Sequence, residues 1–377
     1  MSDVSTQPEV FDSELTAALR LCLVSGVGPR IRQLLLERFG TAEQALTARS
    51  EELRGVTGVG PKLVRAILAA GSEVDVAGEL QLCREHHIDV LIEGSDGYPR
   101  LLQEISDPPG VLFVRGSLAP QDGLALAIVG TRHASPYGIA QAERLATGLA
   151  RAGYTIVSGL ARGIDSAAHR AALAAGGRTI AVLGSGVLNV YPPENGGLAH
   201  EIVGSGAVIS ESPPRSPPLS GAFPQRNRII TGLSLGVIVV EASDRSGALI
   251  SARLAGEQGR EVFAVPGRVD SRTSRGCHRL LKEGAKLVES IDDVLEELGP
   301  LVAATPQPDG REILHPGELQ LNDQERVVLD AVSVEPTTID EVVVASGLSV
   351  SRVLSTLSVL EMRRLIKRLG GNRVRRA

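Results

Sequence analysis

The sequence predicts a doubly wound α/β domain with a mostly parallel sheet, and a smaller helical domain on each side of it. Seven short runs rich in Val, Ile and Ala lie in the middle of the chain, at residues 124–129, 154–157, 179–183, 207–210, 235–240, 261–265 and 286–288. Helical periodicity follows most of them, as at residues 136–152 and 165–175. Strands that lack polar alternation are typical of a parallel sheet covered by helices on both faces. We place this domain at residues 98–299.

The composition restricts the kind of protein that the chain can form. The 3 cysteines, Cys22, Cys83 and Cys277, are widely separated, which excludes a disulfide framework and a CxxC zinc site. The histidines show no metal-ligand spacing either, so no metal is expected. A signal-peptide pattern and a run of about 18 apolar residues are both lacking in the sequence, which favours a cytoplasmic protein with no membrane partner. The net charge of −5 argues against general coating of nucleic acid but permits a local basic groove.

A repeated turn marks the first helical domain, which we place at residues 13–97 after a disordered leader at 1–12. The sequence SGVGP at residues 25–29 recurs as TGVGP at 57–61, and an apolar helical run follows each copy. A GxGP turn between helices is the helix-hairpin-helix pattern, in which glycines let the backbone approach a phosphate near a helix N-terminus. Two interpretations are equally supported: a DNA contact, and a helical packing module that does not touch DNA.

The C-terminal segment predicts a winged helix at residues 318–377, after a Pro-containing linker at 300–317. Helical periodicity resumes at residues 322–332, 339–346 and 349–360, and the last two helices have helix-turn-helix spacing, with Ser349 as the N-cap. The tail could form the wing, and it carries seven cations: Arg363, Arg364, Lys367, Arg368, Arg373, Arg375 and Arg376. They could contact duplex phosphates, dock a protein or form a solvated surface.

Glycines, arginines and one phenylalanine cluster after the predicted strands. In open α/β sheets the ligand binds at the carboxyl ends of the strands. There the sequence places Gly130, Thr131 and Arg132, then 158–165, then Gly184, then 223–228. Such residues suit a polyanion, because amides and helix dipoles hold phosphate oxygens and guanidinium groups add bidentate hydrogen bonds. Phe223 beside this basic segment could stack on a base, whereas Tyr191, next to two prolines, is assigned to loop packing.

Nucleotide-dependent and hydrolytic chemistry finds little support in the motifs. The sequence contains no GxxxxGK[ST] and no GxGxxG after the first strand, which are the P-loop and dinucleotide signatures. It has no nucleophile elbow either, since its one GxSxG stretch, at 232–236, precedes a predicted strand and does not follow one. Asp165 and His169 lie one helical turn apart and could form a metal or acid–base pair. A helix-start aspartate with a hydrogen-bonded core histidine is the more common arrangement, and we favour it.

Long motifs in the middle of the chain closely resemble the DNA-processing protein A (DprA/Smf) family. They are YPRLL and DPPGVLFVRG within 98–116, AIVGTR at 127–132, VSGLARGIDSAAHRAAL at 157–173, TIAVLGSG and YPPEN within 179–195, SESPP at 210–214, FPQRNRIITGLS at 223–234, VVEASDRSGALISA at 239–252, VPG at 265–267 and GCHRLLKEGA at 276–285. The resemblance implies a Rossmann-like core and a homodimer that binds single-stranded DNA, protects incoming strands and helps to load RecA. It implies natural transformation as the setting, and no enzymatic activity or cofactor.

The resemblance also implies a DNA-binding residue set. Arg132 and the amides of Gly130 and Thr131 should hold phosphate, and Arg178, where the family often has lysine, should line the same groove. The full set is Gly130, Thr131, Arg132, Gly159, Arg162, Gly163, Arg178, Gly184, Phe223, Arg226, Asn227, Arg228 and Arg279. His278 departs from the asparagine that many members have, so the contacts of its loop are not carried over.

Two other functions are compatible with the fold class. One is a Rossmann-fold nucleotide-binding hydrolase of the lysine-decarboxylase-like type, but its PGGxGTxxE motif is absent, and the comparable stretch here begins at Glu241. The other is a transcriptional regulator that uses the C-terminal helix-turn-helix. Duplex-specific binding by residues 318–377 would favour the regulator.

Overall fold

The computed structural model describes residues 13–298, 305–306, 312–313, 315, 317–318, 321–363, 365–369 and 372–376. The predicted disordered leader, residues 1–12, lies outside the described residues, as does most of the predicted linker. Among the helices of the described part, none is by itself long and apolar enough to cross a bilayer. One bent helix pair, Ile339–Ser346 with Val350–Met362, has such a length and composition.

A nine-stranded sheet forms the centre of the molecule. Its strands are β1 (Ile88–Ile92), β2 (Val111–Gly116), β3 (Ala125–Val129), β4 (Thr155–Ser158), β5 (Thr179–Val182), β6 (Ala207–Ser210), β7 (Gly236–Val239), β8 (Glu261–Ala264) and β9 (Lys286–Leu287). Their spatial order is β1-β2-β6-β5-β4-β3-β7-β8-β9. Strands β3 to β9 are parallel, whereas β2 is antiparallel to both β1 and β6. The predicted mostly parallel sheet is confirmed.

The direction in which the chain adds strands reverses at β3. From β3 the chain builds β4, β5 and β6 on one side and then returns to place β7 on the other side of β3, with Val129 opposite Val239. The loops that leave β3 and β7 therefore diverge and open a crevice at their carboxyl ends, which is where open α/β sheets bind ligands.

Helices cover both faces of this sheet. The helices of the described part of the chain up to residue 298, including those of the N-terminal domain, are α1 (Ser13–Leu23), α2 (Pro29–Phe39), α3 (Ala42–Thr47), α4 (Ser50–Arg54), α5 (Pro61–Glu73), α6 (Val76–Glu85), α7 (Arg100–Gln103), α8 (Pro136–Arg151), α9 (Ile164–Ala174), α10 (Gly196–Ser205), α11 (Ala222–Gly232), α12 (Ala248–Glu257), α13 (Arg275–Lys282) and α14 (Ile291–Leu298). Helices α8 and α9 pack on one face, and α11 and α12 on the other. Every residue of β3 is consequently buried, which explains its uninterrupted apolar sequence.

The repeated glycine turns of the N-terminal domain pack against each other. An ideal Cβ at Gly58 would lie 2.8 Å from Ile31 Cδ1, and one at Gly26 would lie 3.4 Å from Leu63 Cδ1. Both glycines have positive φ, of +94° at Gly26 and +86° at Gly58, and each turn leads into a helix that begins with proline. The tandem helix-hairpin-helix fold predicted from the repeat is confirmed.

The boundary predicted between residues 97 and 98 does not follow the structure. Strand β1 belongs to the central sheet, and helix α6 packs on it through Val76 and Leu80, against Val111 and Phe113. Sequence periodicity did not identify β1 and β2 because they form an antiparallel addition at the edge of the sheet and no crossover helix connects them. The sheet domain therefore begins before residue 88.

The C-terminal domain is a winged helix, as predicted. Between it and the sheet, β10 (Thr305–Pro306) pairs with β11 (Glu312–Ile313). The domain itself contains α15 (Asp323–Asp330), β12 (Thr337–Thr338), α16 (Ile339–Ser346), α17 (Val350–Met362), β13 (Ile366–Leu369) and β14 (Arg373–Arg376). Gly347 ends α16 in the left-handed conformation, and β13 and β14 form the wing. Ser349 occupies the N-cap position of α17 without a side-chain hydrogen bond to the helix, and Arg364 lies outside the described residues.

A buried arginine joins the N-terminal domain to the sheet. Arg32, on α2, is only 8% exposed and forms an ion pair with Glu93, directly after β1. The backbone of Gly110 lies beneath the guanidinium, because a Cβ there would approach Arg32 Nε to 2.0 Å. Gly110 thus provides the space that this ion pair occupies.

Gly110→Ala should therefore destabilise the protein. The added methyl group displaces Arg32 and leaves Glu93 partly buried without its partner, which should cost about 1–3 kcal/mol of unfolding free energy. Urea unfolding measures this. The control is Gly71→Ala in α5, where a Cβ meets no atom within 4 Å. That substitution should be neutral or stabilise by up to about 1 kcal/mol, and an equal loss in both variants would contradict the assignment.

Candidate functional site

The crevice at the carboxyl ends of β3 and β7 contains a cleft of about 350 Å³. Four segments line it: the loop after β3, the loop after β4 with the start of α9, the first turns of α11 and the turn before α12. Among the lining residues are Gly130, Thr131, Arg132, His133, Phe223, Arg226, Asn227, Ser243, Ser246 and Gly247. The structure thus brings six of the predicted residues together at the position expected from the strand order.

The floor of the cleft is a buried pair of opposite charges. Arg226 is 7% exposed, and its Nη1 donates to the carbonyl oxygens of Gly159, at 2.8 Å, and Val182. Asp165, at the start of α9, accepts hydrogen bonds from the amides of Gly159, at 3.1 Å, and Ala161, at 3.3 Å. Burial lowers the pKa of Arg226 to about 10, and burial raises the pKa of Asp165, against the opposing effect of Arg226.

Arg226 is therefore a structural residue in this geometry, and the expectation that it presents its guanidinium to a DNA strand is corrected. Its side chain points under the loop after β4, because α11 packs that face against the sheet. The glycine at 159 makes this possible: a Cβ there would lie 2.4 Å from Arg226 Nη1.

The predicted glycines allow other groups to pack where a Cβ would lie, and two amides of this region that could bind phosphate are already hydrogen-bonded within the protein. A Cβ at Gly163, whose φ is +74°, would lie 2.4 Å from the carbonyl oxygen of Thr131, and one at Gly184 would lie 2.9 Å from the Phe223 ring. The amide of Thr131, expected to hold phosphate, donates instead to the carbonyl oxygen of Glu241 at 2.8 Å. The amide of Gly159 is likewise used by Asp165.

An exposed cation and two aromatic rings form the rim of the cleft. The guanidinium carbon of Arg132 lies 5.5 Å from the centroid of the Phe223 ring, which packs at 5.6 Å and 49° against Tyr191. Arg132 is exposed, and in the described part of the chain it makes no ion pair. Tyr191 was assigned to loop packing from its prolines. The structure instead places it beside Phe223, and only its position after a strand could have indicated this.

Arg162 borders the same rim. A small recess is lined by Arg132, Arg162, Tyr191 and Phe223. Arg162 is exposed and ion-paired with Glu194, so a ligand phosphate would compete with that carboxylate. Asn227 also lines the cleft and donates weakly to the carbonyl oxygen of Gly247, at 3.4 Å.

Two of the predicted arginines, Arg178 and Arg228, lie outside the cleft. Arg178 precedes β5 and so lies at the amino edge of the sheet, where Nε and Nη2 both bond Asp122, each at 2.9 Å. Arg228 is 5% exposed and bonds Glu211 and Asp107. The prediction that Arg178 lines the groove with Arg132 is wrong in this structure, because parallel strands keep their two ends on opposite edges. Arg228 is corrected as well, since its guanidinium is buried in ion pairs.

Arg279 also lies outside the cleft. It is exposed on α13, pairs with Glu283 of the same helix at 3.6 Å and is not among the cleft residues. His278 Nε2 donates to the carbonyl oxygen of Gly267, which lies 3.0 Å away. This hydrogen bond connects α13 to the backbone of the loop that follows β8.

His169 is a core residue. Its Nδ1 lies 2.7 Å from Thr179 Oγ1, and that hydroxyl donates to the carbonyl oxygen of Ile156 at 2.6 Å. The hydroxyl proton is therefore already used, so His169 Nδ1 donates and Nε2 carries the lone pair. Nε2 is buried without a partner among the described residues, and burial lowers the pKa of His169 to about 3. No group of three potential metal ligands occurs in the described ranges.

Fold and cleft together define a class: a three-part protein in which a doubly wound α/β core stands between a tandem helix-hairpin-helix and a winged helix. The chain belongs to the DNA recombination-mediator protein A family, whose model matches residues 89–299. The DprA winged helix domain matches residues 314–372, and a SAM-like helix-hairpin-helix tandem matches residues 18–73. A role in DNA processing as a recombination mediator follows from this membership.

Individual relatives agree with this assignment. Protein Smf of Synechocystis is 35% identical over 97% of this chain and 99% of its own length. The DNA processing protein DprA of Streptococcus pneumoniae is 50% identical over 54% of this chain and 71% of its own.

Two solved structures share the fold. The X-ray structure of DprA from Streptococcus pneumoniae has a TM-score of 0.66 at 38% identity, and the match covers 75% of this chain and 97% of that one. A structure of DNA processing protein A from Helicobacter pylori, described for its single-stranded DNA binding mode, has a TM-score of 0.51 at 32% identity. It covers 56% of this chain and 97% of that one.

The buried neutral His169 should make the fold sensitive to acid. Between pH 6.5 and about 3 the unfolded chain binds a proton at His169 that the folded chain does not. Stability should therefore fall as the pH falls through this range, by up to about 1.4 kcal/mol per pH unit from this group. Asp165, with its raised pKa, acts in the opposite direction, because its protonation on acidification favours the folded state.

His169→Asn tests this assignment, since the amide can still donate to Thr179 but does not titrate. Urea unfolding at several pH values should show a lower stability at neutral pH, because of the cavity, and a shallower loss towards acid than the parent protein. Parallel profiles for the two proteins would show that His169 does not titrate as the structure implies.

Proposed function

We propose that this chain is a non-enzymatic mediator that binds single-stranded DNA along the rim of the cleft between β3 and β7. The observation that carries the proposal is the group of exposed Arg132 with half-buried Phe223 and Tyr191, in which a cation lies 5.5 Å from one ring and the two rings are 5.6 Å apart. Proteins that bind single strands without sequence preference combine backbone-directed cations with aromatic rings on which bases stack.

Further positive charges near the rim support the binding of a DNA strand that extends beyond the cleft. Arg245, in the loop after β7, is exposed. So are Arg272 and Arg275, on either side of Thr273, whose carbonyl oxygen accepts from the amide of Ala242 in that loop. Because the net charge of the whole chain is −5, these arginines form a local positive region on a protein that is negative overall. A phosphate backbone bound by such a group would be held mostly by electrostatics, with little dependence on sequence.

The carboxylates of the cleft argue against hydrolysis as its function. Asp165 is 6% and Glu241 3% exposed, and each accepts backbone hydrogen bonds. A general base has to reach the proton that it removes. Glu241 does not line the cleft, and Asp165, which does, is held by the amides of Gly159 and Ala161. This supports the mediator over the nucleotide-binding hydrolase.

The wider role rests on the family. Binding to single-stranded DNA is what the Helicobacter pylori structure is described for, and a recombination mediator acts on such strands. We extend this to protection of incoming DNA during transformation, loading of RecA, a homodimeric state and a cytoplasmic location. Contact of the winged helix with duplex DNA or with a protein stays a prediction.

The primary test is fluorescence anisotropy with labelled oligo-dT and a matched duplex, without nucleotide, across several salt concentrations. The mediator should prefer the single strand, and its affinity should fall with salt. Weak binding to both, together with stabilisation by a small nucleotide, would favour the hydrolase.

Arg132→Ala should weaken oligo-dT binding and lower the slope of log K against log salt by about 0.7, because one phosphate contact is lost. The control is Arg151→Ala, which removes an exposed arginine from the last turn of α8, away from the carboxyl edge. That variant should keep both affinity and slope. An unchanged slope in Arg132→Ala would show that the cation does not contact the strand.

Phe223→Leu should weaken oligo-dT binding by about 1–3 kcal/mol if one base stacks on the ring. The matched probe is an abasic strand with the same phosphates, for which the variant and the parent protein should bind equally. An equal loss of affinity for the abasic strand would show that Phe223 maintains the conformation of the loop and that no base stacks on its ring.

A further inference from the structure

Glu241, directly beyond β7, is a buried carboxylate without a cation. It is 3% exposed, and in the part of the chain that the structure describes no lysine or arginine forms an ion pair with it. Three donors hold it instead: the amide of Ser135 at 2.9 Å, the hydroxyl of Ser135 at 2.6 Å and the hydroxyl of Thr273 at 3.1 Å. A buried charge needs such compensation, and here neutral groups provide it.

This carboxylate lies against the first turn of α8. Ser135 is the N-cap of that helix, and a Cβ at Gly138 would lie 2.3 Å from Glu241 Oε2. Helix α8 is 16 residues long and follows β3 at the switch point of the sheet. In nucleotide-binding sheets of this type, the phosphate lies at the N-terminus of the helix after the first strand. In this chain the carboxylate of Glu241 occupies the position at the N-terminus of α8.

The same residue fixes both ends of the loop that carries Arg132. On one side, the amide of Thr131 donates to the carbonyl oxygen of Glu241 at 2.8 Å, and on the other, Ser135 bonds its carboxylate. Thr273 joins the loop before α13 to the same group. Arg132 is therefore exposed on a short loop whose two anchors are both held by one residue.

We infer that Glu241, which lies beside the cleft and not among its lining residues, determines which anions bind there. Its carboxylate occupies the place of a free nucleotide's phosphates and repels them, and it holds Arg132 at the rim, where the monoanionic phosphates of a DNA strand are met. The inference rests on the proposed function for the strand and extends it to the exclusion of nucleotides.

The test uses the full chain, inorganic pyrophosphate as the free anion and labelled oligo-dT as the strand. Glu241→Ala vacates the position, so pyrophosphate should raise the melting temperature of this variant in a concentration-dependent way and leave the parent protein unchanged. The salt slope for oligo-dT should fall to that of Arg132→Ala, and combining both substitutions should cause no further fall.

Glu241→Gln separates shape from charge. It refills the position, so it should show no pyrophosphate response and should recover most of the salt slope. The matched control is Glu211→Ala, which removes another largely buried carboxylate at a strand end, one paired with Arg228. It should lose stability without any response to pyrophosphate, since a general loosening of the protein creates no anion site.

A response of the parent protein to pyrophosphate would overturn the inference, and so would a folded Glu241→Ala that does not respond. Should that variant not fold, Glu241→Ser, which also vacates the position of the carboxylate, takes its place in both assays. If the parent protein did not bind oligo-dT, the proposed function would fail, while the pyrophosphate comparison would still decide whether Glu241 excludes phosphate.

Discussion

The buried guanidinium of Arg226 organises the carboxyl edge of the sheet. It bonds the carbonyl oxygens of Gly159, after β4, and Val182, the last residue of β5, and it faces Asp165, whose carboxylate collects the amides of the loop after β4. One side chain thus connects α11 to two neighbouring strands. A buried charge is costly unless it is hydrogen-bonded, so the shape of the cleft depends on the hydrogen bonds of Arg226 to these two carbonyl oxygens.

The same principle operates on the other side of the cleft, where Glu241 holds the loops after β3 and before α13. Between them, Arg226, Asp165 and Glu241 bond the amides of Thr131, Ser135, Gly159 and Ala161 and the carbonyl oxygens of Gly159 and Val182. What is left for a ligand is the rim: an exposed guanidinium and two aromatic rings. That surface suits stacked bases and phosphates in succession better than it suits one enclosed nucleotide.

Much of the architecture could be predicted because it is local. The apolar runs of β3 to β8, the repeated GxGP turns and the helix-turn-helix spacing each reflect short-range backbone rules. Strands β1 and β2 were missed because their antiparallel pairing brings together residues that share no periodic signal. The site was predicted in position but not in detail: Arg132 and Phe223 lie at the rim, whereas Arg226 and Arg228 are buried and Arg178 is at the opposite edge.

The sequence by itself determined the class of fold, the order of the domains and the edge of the sheet at which the cleft lies, because strand sequence and strand direction fix these. Only the tertiary structure decided which arginines reach solvent. A guanidinium can bind a phosphate or a carbonyl and carboxylate of its own chain with the same donors, so residue type does not distinguish the two roles. The packing of α11 on the sheet makes that choice, since it turns Arg226 inwards and leaves Phe223 beside Arg132.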